Sequence, residues 1–338
     1  MLEAIDFFCG AGGVTCGFQQ AQIKVLGGID IDASCRETYE KNNTAKFFHI
    51  DVSNYPVENL SKEINFSKDQ DNLIFVGCSP CQYYSNITTD RSKSKKTRYL
   101  LADFQEYVAF YRPGHVFIEN VPGIETKAGS PLEKFKSFLV KSGYSFSENK
   151  LNAKHLGVPQ NRLRYVLIAS RVKKRIELKL PANEPMRTVR DAIGDTKIFP
   201  EVPAGFFDNS FFAHTTANLS DLNIERLKNT PSSGGDKRDW PKELLLDSNK
   251  NYSGHYDVYG RVDWDKPAPT ITTKFRSLSN GRFGHPEQNR ALSLREGATL
   301  QSFPLNYTFY SNSQGTVGRM IGNAVPPKLA KFIGEQFK

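Results

Sequence analysis

The first half of the chain alternates short apolar runs with amphipathic stretches. The apolar runs at residues 2–8, 25–29, 45–50, 73–76, 115–118 and 164–170 predict buried strands. Between them, the stretches at residues 14–22, 33–42, 100–110 and 130–142 have the spacing of helices. Strands that alternate with helices indicate an α/β fold with a doubly wound, mostly parallel sheet. Ligands of such sheets collect at the carboxyl ends of the strands.

The pattern changes in the middle of the chain. Residues 187–289 are richer in Pro, Gly, Ser and Asn, and their short alternating runs at 256–262 and 270–275 predict irregular, partly β structure. Helical periodicity returns at residues 292–301 and 328–337. The middle segment is therefore predicted to form a second, smaller domain with long loops.

Length and composition exclude several classes of protein. A chain of 338 residues suggests about two domains, and 38% hydrophobic residues exclude a disordered chain. No apolar run approaches the ~18 residues that span a bilayer, and no basic leader precedes the first apolar run. Five cysteines, an odd number, favour a reducing cytosol over a disulfide-stapled secreted domain. The net charge of +9 suggests a polyanionic partner but does not identify one.

A glycine-rich turn follows the first predicted strand, in the sequence D-F-F-C-G-A-G-G at residues 6–13. Such a turn lets the backbone approach a nucleotide-like ligand, although it does not meet the dinucleotide fingerprint G-x-G-x-x-G. Asp30, about 20 residues further on, ends the second strand and could accept hydrogen bonds from a ribose diol. The pair suggests an adenosine-containing cofactor; the alternative is an ordinary turn beside a solvated carboxylate.

A second motif, G-C-S-P-C-Q at residues 77–82, follows the fourth predicted strand. Its C-x-x-C spacing is compatible with a zinc site, but the remaining cysteines are isolated near the N-terminus and supply no second ligand pair. It is also compatible with a redox pair. A third interpretation is a single nucleophilic thiolate, Cys81, on a turn stiffened by proline. The motif alone does not decide among the three.

Two further motifs carry charged side chains at strand ends. The sequence E-N-V at residues 119–121 places a carboxyl group where it could protonate or orient a substrate, unless Glu119 is simply a surface residue. In Q-N-R-L-R at residues 160–164, Arg162 and Arg164 would project to the same side of an extended chain. Two aligned guanidinium groups suit a phosphate, a carboxylate or a carbonyl oxygen; the alternative is an exposed edge strand.

Together these four motifs resemble those of the DNA (cytosine-5) methyltransferases of the bacterial restriction-modification type. The resemblance continues with R-A-L-S-L-R-E-G-A-T-L-Q-S-F-P at residues 290–304 and G-N-A-V-P at 322–326. The blocks follow the family order and span nearly the whole chain. The resemblance implies a Rossmann-like methyltransferase domain that is discontinuous, formed by residues 1–185 and 315–338. Residues 186–314 would form the irregular target-recognition domain and the return segment.

The resemblance also implies a mechanism without metal. Cys81 would add to C6 of a cytosine that has been flipped out of duplex DNA, and C5 would then accept a methyl group from S-adenosylmethionine. Glu119 matches the acid that contacts N3 of the ring, and Arg164 matches the residue that holds O2, with support from Arg162.

The cofactor contacts follow from the same alignment of motifs. The residues that match cofactor contacts are Phe8, Gly10, Ala11, Gly12, Gly13, Asp30, Ile31, Asp51, Val52, Pro80, Leu100 and Asn323. Those expected at the DNA are Gln82, Ser85, Arg98, Arg238, Arg261, Thr270, Ile271 and Lys274. The basic side chains of the recognition region, with Arg276 and Arg282, are candidate base or phosphate contacts; the alternative for each is a surface charge. The basic run at residues 91–98 would meet phosphates, unless it is only a solvated loop.

Two positions depart mildly from the family pattern. Cys9 stands where a smaller Ala or Ser is more usual, and Tyr84 stands where phenylalanine is common. The expected setting is a monomer in a bacterial cytoplasm that acts on double-stranded DNA, with a restriction endonuclease of the same specificity as a potential partner. One alternative is the tRNA cytosine-5 methyltransferase branch, which shares these motifs. The others are a catalytically silent DNA-binding module and a nicotinamide-dependent oxidoreductase, which the intact motifs and the broken fingerprint disfavour.

Overall fold

The structure, a computed structural model, describes residues 1–80, 84, 99–180, 185–210, 212–245 and 257–338. Contacts between Cα atoms divide the chain into two compact units. The first comprises Met1–Leu156, Leu163–Asn183 and Ala324–Lys338, and the second comprises Gly157–Arg162 and Glu184–Asn323. The first unit is thus discontinuous, and its returning segment begins nine residues after the predicted position 315 (324 − 315 = 9). A role of the second unit in target recognition stays a prediction.

The described part of the first unit contains one seven-stranded sheet. Its strands are β1 Glu3–Phe7, β2 Lys24–Asp30, β3 Lys46–His49, β4 Leu73–Gly77, β5 His115–Asn120, β6 Ser145–Asn152 and β7 Leu163–Ser170. The order across the sheet is β3-β2-β1-β4-β5-β7-β6. Strands β1 to β5 pair in parallel, whereas β7 runs antiparallel between β5 and β6. The predicted α/β class with a mostly parallel sheet is confirmed.

Strand β6 is the one strand of this sheet that the apolar pattern did not predict. It lies at the sheet edge and has the sequence SFSENKLN, most of which is half-buried or exposed. An edge strand with so little buried surface has no need of an apolar run, so no hydrophobic signal marks it.

The α-helices in the described ranges are α1 Gly13–Gln20, α2 Arg36–Asn42, α3 Leu60–Glu63, α4 Leu100–Tyr111, α5 Gly123–Thr126, α6 Leu132–Lys141, α7 Val189–Ile193, α8 Asp221–Lys228, α9 Leu294–Leu300, α10 Gln314–Asn323 and α11 Pro327–Gln336. Short 3₁₀ helices lie at Ala33–Cys35, Val57–Asn59, Ala153–Leu156, Lys237–Asp239, Lys242–Leu244 and Leu278–Asn280. Within these ranges no helix has the length and apolar character needed to cross a membrane.

Helices cover both faces of the sheet in the first unit. On one face, strand side chains such as Phe7 of β1 and Phe75 of β4 form a core with Phe104 of α4 and Phe135 of α6. On the other face, Phe18 of α1 stacks on Phe117 of β5 with ring centroids 6.1 Å apart. This arrangement buries both faces of the central strands and leaves their carboxyl ends as the edge where polar side chains collect.

The C-terminal segment packs closely on α1 through glycines. A Cβ atom on Gly13 would lie 2.3 Å from the carbonyl oxygen of Val325, and one on Gly17 would lie 2.2 Å from that of Pro327. Both glycines therefore allow the backbone of α1 to lie close to the backbone at the start of α11, because they carry no side chain.

The second unit contains little regular structure in its described residues. The predicted runs at 256–262 and 270–275 form no strand there, and residue 256 lies outside the described residues. Isolated bridges join Gln160 to Ala268, Arg261 to Gly284, and Gly284 to Ala291. In the described residues the expectation of partly β structure is therefore met only by these bridges. Several backbone carbonyls of this unit accept hydrogen bonds from arginine side chains.

Substituting Gly17→Ala should destabilise the protein by about 2–3 kcal/mol, because the new methyl group would overlap the backbone of Pro327 and force α1 and α11 apart. Urea unfolding monitored by circular dichroism measures the change. The control is Gly315→Ala, whose Cβ would meet nothing closer than 3.6 Å and should change stability by less than about 1 kcal/mol. Equal stability of both variants would contradict the close approach.

Candidate active site

The turn after β1 has an unusual backbone that is bonded to the end of β2. Phe8, Gly10 and Gly12 all have positive φ, at 61°, 49° and 88°. The N–H of Gly10 donates to Oδ2 of Asp30 at 2.8 Å. A left-handed conformation at Phe8 costs roughly 1–2 kcal/mol, and such strain clusters at functional sites. The predicted glycine turn and Asp30 therefore lie together, as the sequence analysis expected.

Asp30 is a partly buried carboxylate with accepting capacity to spare. Burial raises its pKa, although the N–H groups of Asp32 and Gly10 bond to it and lower it. An ionised carboxylate offers about four lone-pair positions, so these two bonds leave room for a hydroxyl donor. The neighbouring Ile31 side chain is 62% exposed and presents an apolar surface beside this carboxylate in sequence.

The loop after β3 is held by α4. The carboxylate of Asp51 accepts from the N–H of Ser53 at 3.1 Å, and the Ser53 hydroxyl donates to Asp103 at 2.6 Å. Val52 is buried in the core, and α4 begins at Leu100. These contacts fix the position of Asp51 at the third strand end.

A buried carboxylate beneath this edge lacks a partner on one oxygen. Asp6 is 1% exposed, its Oδ2 accepts from Thr15 at 2.8 Å, and in the described part of the chain its Oδ1 has no hydrogen-bond partner. Burial, together with the charge of Asp30, raises its pKa to about 7, although the hydrogen bond from Thr15 lowers it. Acidic side chains at this edge fit a hydroxylated or cationic ligand and disfavour a pyrophosphate.

The predicted cofactor residues are divided between the two units. Asn323, the last residue of α10, lies in the second unit, and the others lie in the first. Those in the first unit end a strand, follow one of strands β1 to β4 or begin a helix. They are Phe8, Gly10, Ala11, Gly12, Gly13, Asp30, Ile31, Asp51, Val52, Pro80 and Leu100. The set in the first unit fits an adenosine-containing group, since it offers carboxylate acceptors, an exposed apolar side chain and a tight glycine turn.

The loop after β4 is tied to the end of β5. The side-chain amide of Asn120 donates to the carbonyl oxygen of Ser79 at 3.2 Å, and Asn120 is fully buried. Asn120 belongs to the E-N-V motif, but the sequence predicted no role for it; its amide at a strand end was the available signal. Of the residues predicted nearby, Cys81, Gln82, Ser85 and Arg98 lie outside the described residues.

Cys78 is a poor candidate for a thiolate. Burial raises the pKa of its thiol well above the usual range, and the negative charges of Glu119 and Asp6 raise it further. A thiol that stays protonated at neutral pH is a weak nucleophile and a weak metal ligand. Of the two cysteines in the C-x-x-C motif, this leaves Cys81 as the candidate nucleophile.

Glu119 and Arg164 form an ion pair across two neighbouring strands. Strands β5 and β7 pair so that Glu119 lies opposite Val166, which makes Arg164 its diagonal neighbour. Arg164 Nε lies 2.8 Å from Glu119 Oε1, and both side chains are about nine-tenths buried. The pair holds a carboxylate and a guanidinium side by side, where they can bind complementary edges of one planar polar ligand.

Arg162 belongs to the second unit and has other partners. Its guanidinium donates to the carbonyl oxygens of Ile271 at 3.1 Å and Gly322 at 3.3 Å, and it is buried. The expectation that Arg162 supports Arg164 stays a prediction, but these bonds show that Arg162 holds two distant segments of the second unit together.

The residues predicted to contact DNA differ in accessibility. Arg261 is 2% exposed and donates to the carbonyl oxygens of Leu227, Thr230, His285 and Gln288. This bonding corrects the assignment of Arg261 to the DNA surface, because its donors are already used inside the unit. Ile271 is fully buried, and the Thr270 hydroxyl donates to the carbonyl of Asn161. By contrast, Lys274 is exposed, and the side chain of Arg238 is 64% exposed.

A groove of about 590 Å³ opens on the second unit. Its lining includes the basic side chains of Lys274, Arg276 and Arg319 and the amides of Asn218 and Asn223. The sequence predicted no role for Asn218, Asn223 or Arg319, because a single arginine or asparagine carries no distinguishing pattern. Cations and amides in one groove suit the phosphates and base edges of a nucleic acid.

The model of the C-5 cytosine-specific DNA methylase family matches residues 2–338. The chain belongs to this family. Among similar proteins, the Type II methylase M.HgiDII of Herpetosiphon aurantiacus is 39% identical over 99% of this chain and 94% of its own. The Type II methyltransferase M1.HphI of Haemophilus parahaemolyticus is 32% identical over 99% and 86%. The chain is thus a DNA (cytosine-5) methyltransferase, and the family resemblance seen in its motifs is confirmed.

Solved structures share the fold of this methylase. A protein encoded within an E. coli prophage and named as a DNA modification methyltransferase superposes with a TM-score of 0.75 at 22% identity, over 100% of this chain and 98% of that one. The Entamoeba histolytica methyltransferase EhMeth gives 0.68 at 16% identity over 99% and 97%. At these identities the likeness establishes the fold alone.

Substituting Arg261→Lys should destabilise the methylase by about 3 kcal/mol, because lysine cannot supply the forked donors that buried carbonyls require. Thermal and urea unfolding measure the loss. The control Arg175→Lys changes a side chain that is 84% exposed and should cost less than about 1 kcal/mol. Unchanged stability of Arg261→Lys together with weaker DNA binding would return Arg261 to the DNA surface.

Proposed function

We propose that this methylase transfers a methyl group from S-adenosylmethionine to C5 of a cytosine flipped out of duplex DNA, through a covalent adduct with Cys81. The observation that carries the proposal is the Glu119–Arg164 ion pair at the end of β5. The Asn120–Ser79 hydrogen bond ties the loop that leads to Cys81 to the same strand end. An acid on β5 and a guanidinium on β7 thus lie side by side in the first unit, and the described residues that precede Cys81 are bonded to the end of β5.

In the proposed reaction the Cys81 thiolate forms a bond to C6 of the ring, and electron density moves towards N3. Glu119 donates a proton or a hydrogen bond to N3, and Arg164 holds both Glu119 and the ring oxygen O2. C5 then becomes nucleophilic and accepts a methyl group. Loss of the C5 proton and cleavage of the Cys81–C6 bond give 5-methylcytosine and restore the thiolate.

S-adenosylmethionine supplies, when bound, an electrophilic methyl group on a sulfonium. Asp30 would accept from its ribose hydroxyls, Ile31 and Phe8 would pack on its adenine, and Asp51 would accept from the adenine amino group. The bond from Gly10 to Asp30 would hold this carboxylate ready before binding.

The target atom of a stacked cytosine is inaccessible, so the base must be flipped at a cost of a few kcal/mol. New contacts must offset that cost, and we assign them to Gln82, Ser85 and the basic run at residues 91–98, all from the sequence resemblance. The groove of the second unit supports DNA binding by its cations and amides. Of the DNA contacts predicted in this unit, we retain Lys274, which lines the groove, and Arg238, which is exposed.

Relatives named as Type II enzymes suggest a biological setting. We propose that the methylase modifies a short DNA sequence and protects it from a restriction endonuclease of the same specificity, without direct contact between the two proteins.

Expression in a host that lacks cytosine methylation tests the activity. Bisulfite sequencing of the host DNA should show nearly complete methylation of one cytosine within one short motif. An unmethylated genome in cells that contain soluble protein would contradict the DNA substrate, and the same cells' tRNA would then be sequenced after bisulfite conversion.

The nucleophile has a separate test. A duplex with 5-fluorocytosine at the target position should form a stable adduct with the methylase, because fluorine cannot leave C5 as a proton does. Cys81→Ser should abolish the adduct on denaturing gels, whereas Cys78→Ser should retain it, since the Cys78 thiol stays protonated. An adduct that persists in Cys81→Ser would place the nucleophile elsewhere.

A further inference from the structure

The groove of the second unit contains a half-buried arginine that is fixed in place. Arg276 lines this groove, and its Nη1 donates to the side-chain oxygen of Gln314, the first residue of α10. Its stem lies beside α10 at Gly318, where a Cβ atom would come within 3.9 Å of Arg276 Cδ. The side chain is therefore held at both its stem and its head, whereas a long cation in solvent samples many rotamers.

The backbone that carries Arg276 is anchored as well. The preceding residue, Phe275, is fully buried and packs on α9 at Gly297, where a Cβ atom would lie 2.2 Å from Cε2 of the phenyl ring. The N–H of Phe275 donates to the carbonyl oxygen of Thr272 at 3.2 Å. A side chain on a support that is fixed in this way can keep the geometry that a directional hydrogen bond requires.

The charge of Arg276 has no counterion in the described part of the chain. Burial lowers the pKa of its guanidinium, and no described carboxylate raises it. None of the described residues that line the groove is acidic, and they include two further cations, Lys274 and Arg319. Of the five N–H groups of Arg276, one is bonded to Gln314 within the described residues, which leaves the others for a ligand. A half-buried charge with donors to spare favours a ligand rich in hydrogen-bond acceptors.

The surroundings of Arg276 differ from those of Lys274, two positions earlier. Lys274 is exposed, as suits a flexible cation that meets a phosphate in solvent. The groove that Arg276 lines is also lined by the apolar side chains of Leu219, Tyr259 and Leu278. A phosphate is strongly hydrated and gains little from apolar neighbours, whereas a base is an apolar ring with a polar edge. Paired N–H groups of arginine match the O6 and N7 acceptors of guanine in the major groove, which is the commonest specific contact.

We propose that Arg276 is a specificity-determining residue that binds the major-groove edge of one guanine in the target sequence, and that Gln314 is the positioning residue that orients its guanidinium. The inference rests on the proposed function, because it presupposes a duplex DNA substrate. It goes further by separating base contact from phosphate contact within the groove. Lys274 is then a phosphate contact, which adds affinity without selecting a sequence.

The experiment measures, by fluorescence anisotropy, the Kd of the full-length methylase for duplexes that contain the motif found by bisulfite sequencing. Each guanine of the motif, in either strand, is replaced in turn by 7-deazaguanine, which pairs normally but lacks the N7 acceptor. In the parent, the replacement at the guanine bound by Arg276 should raise Kd about tenfold. Arg276→Met should abolish this penalty at that guanine and retain any penalty at other guanines, because it removes the donors and keeps the length of the stem.

The matched control is Lys274→Met, which removes the same charge from the same groove. It should weaken binding of the unmodified and the 7-deazaguanine duplexes alike, and so retain the penalty at every guanine. The slope of log Kd against the logarithm of salt concentration should fall by about one, because one phosphate contact is lost. Thermal unfolding checks the fold of both variants, and each midpoint should lie within about 5 °C of the parent, since neither side chain belongs to the core.

A second variant, Gln314→Leu, tests the positioning role. It keeps the charge of Arg276 and removes the oxygen that orients the guanidinium. The penalty at the same guanine should fall about threefold, while the salt slope stays that of the parent. Combined with Arg276→Met it should change the penalty no further, since no guanidinium is left to orient. A purely structural role for Gln314 would lower thermal stability and leave the penalty unchanged.

The outcomes distinguish this inference from the function on which it rests. If the parent methylates no host DNA, the proposed function is wrong and the inference is wrong with it. If the parent methylates one motif but Arg276→Met weakens all duplexes alike and keeps every guanine penalty, Arg276 is a phosphate contact; the inference is then overturned while the proposed function stands. The same conclusion follows if no guanine replacement weakens binding by the parent. Loss of the penalty at one guanine in Arg276→Met, with all penalties retained in Lys274→Met, supports the inference.

Discussion

Buried arginine side chains hold the second unit together, because its described backbone forms isolated bridges rather than strands. Without a sheet, buried carbonyl groups must find other donors, and one guanidinium provides five N–H groups. Arg261 bonds four carbonyl oxygens, and Arg295 bonds those of Phe212 and Tyr307. Arg290 bonds both oxygens of Glu296, whose pKa is raised by burial but brought down to about 2 by this partner.

This use of arginine changes what the net charge of +9 signifies. The basic composition suggested a polyanionic partner, yet several arginines of this chain are buried and donate hydrogen bonds to backbone carbonyl oxygens. They are Arg162, Arg164, Arg226, Arg261, Arg290 and Arg295. Composition does not distinguish an arginine on a DNA-binding surface from a buried arginine that bonds backbone carbonyl groups. The order of the motifs, by contrast, identified the family.

The parts of the fold that sequence predicted are those with buried apolar strands. Strand β4 is a continuous apolar run and β1 and β5 are apolar at their central positions, because both faces of these strands are covered, and the predicted bounds agree within two residues. Strand β6 was not predicted, because this edge strand is mostly polar. The bridges of the second unit were not predicted either, because they depend on contacts between residues distant in sequence, such as Gln160 with Ala268.

The candidate site shows the same division. Asp30 and Glu119 were found because strand ends collect ligands and a family pattern matched them. Asp6 and Asn120 stood within quoted motifs but received no role, since only their burial and partners show what they do. Arg261 was misassigned for the converse reason, because its sequence environment resembles a loop while its side chain is enclosed.

The close packing of α1 against the segment Ala324–Lys338 has a consequence for biosynthesis. About 300 residues separate α1 from the helix that covers it, and they are translated at about 5–20 residues per second. While they are made, the α1 surface at Gly13 and Gly17 remains without its partner. The nascent first unit cannot bury this surface until α11 has emerged, so this folding step waits for a segment that is far away in sequence.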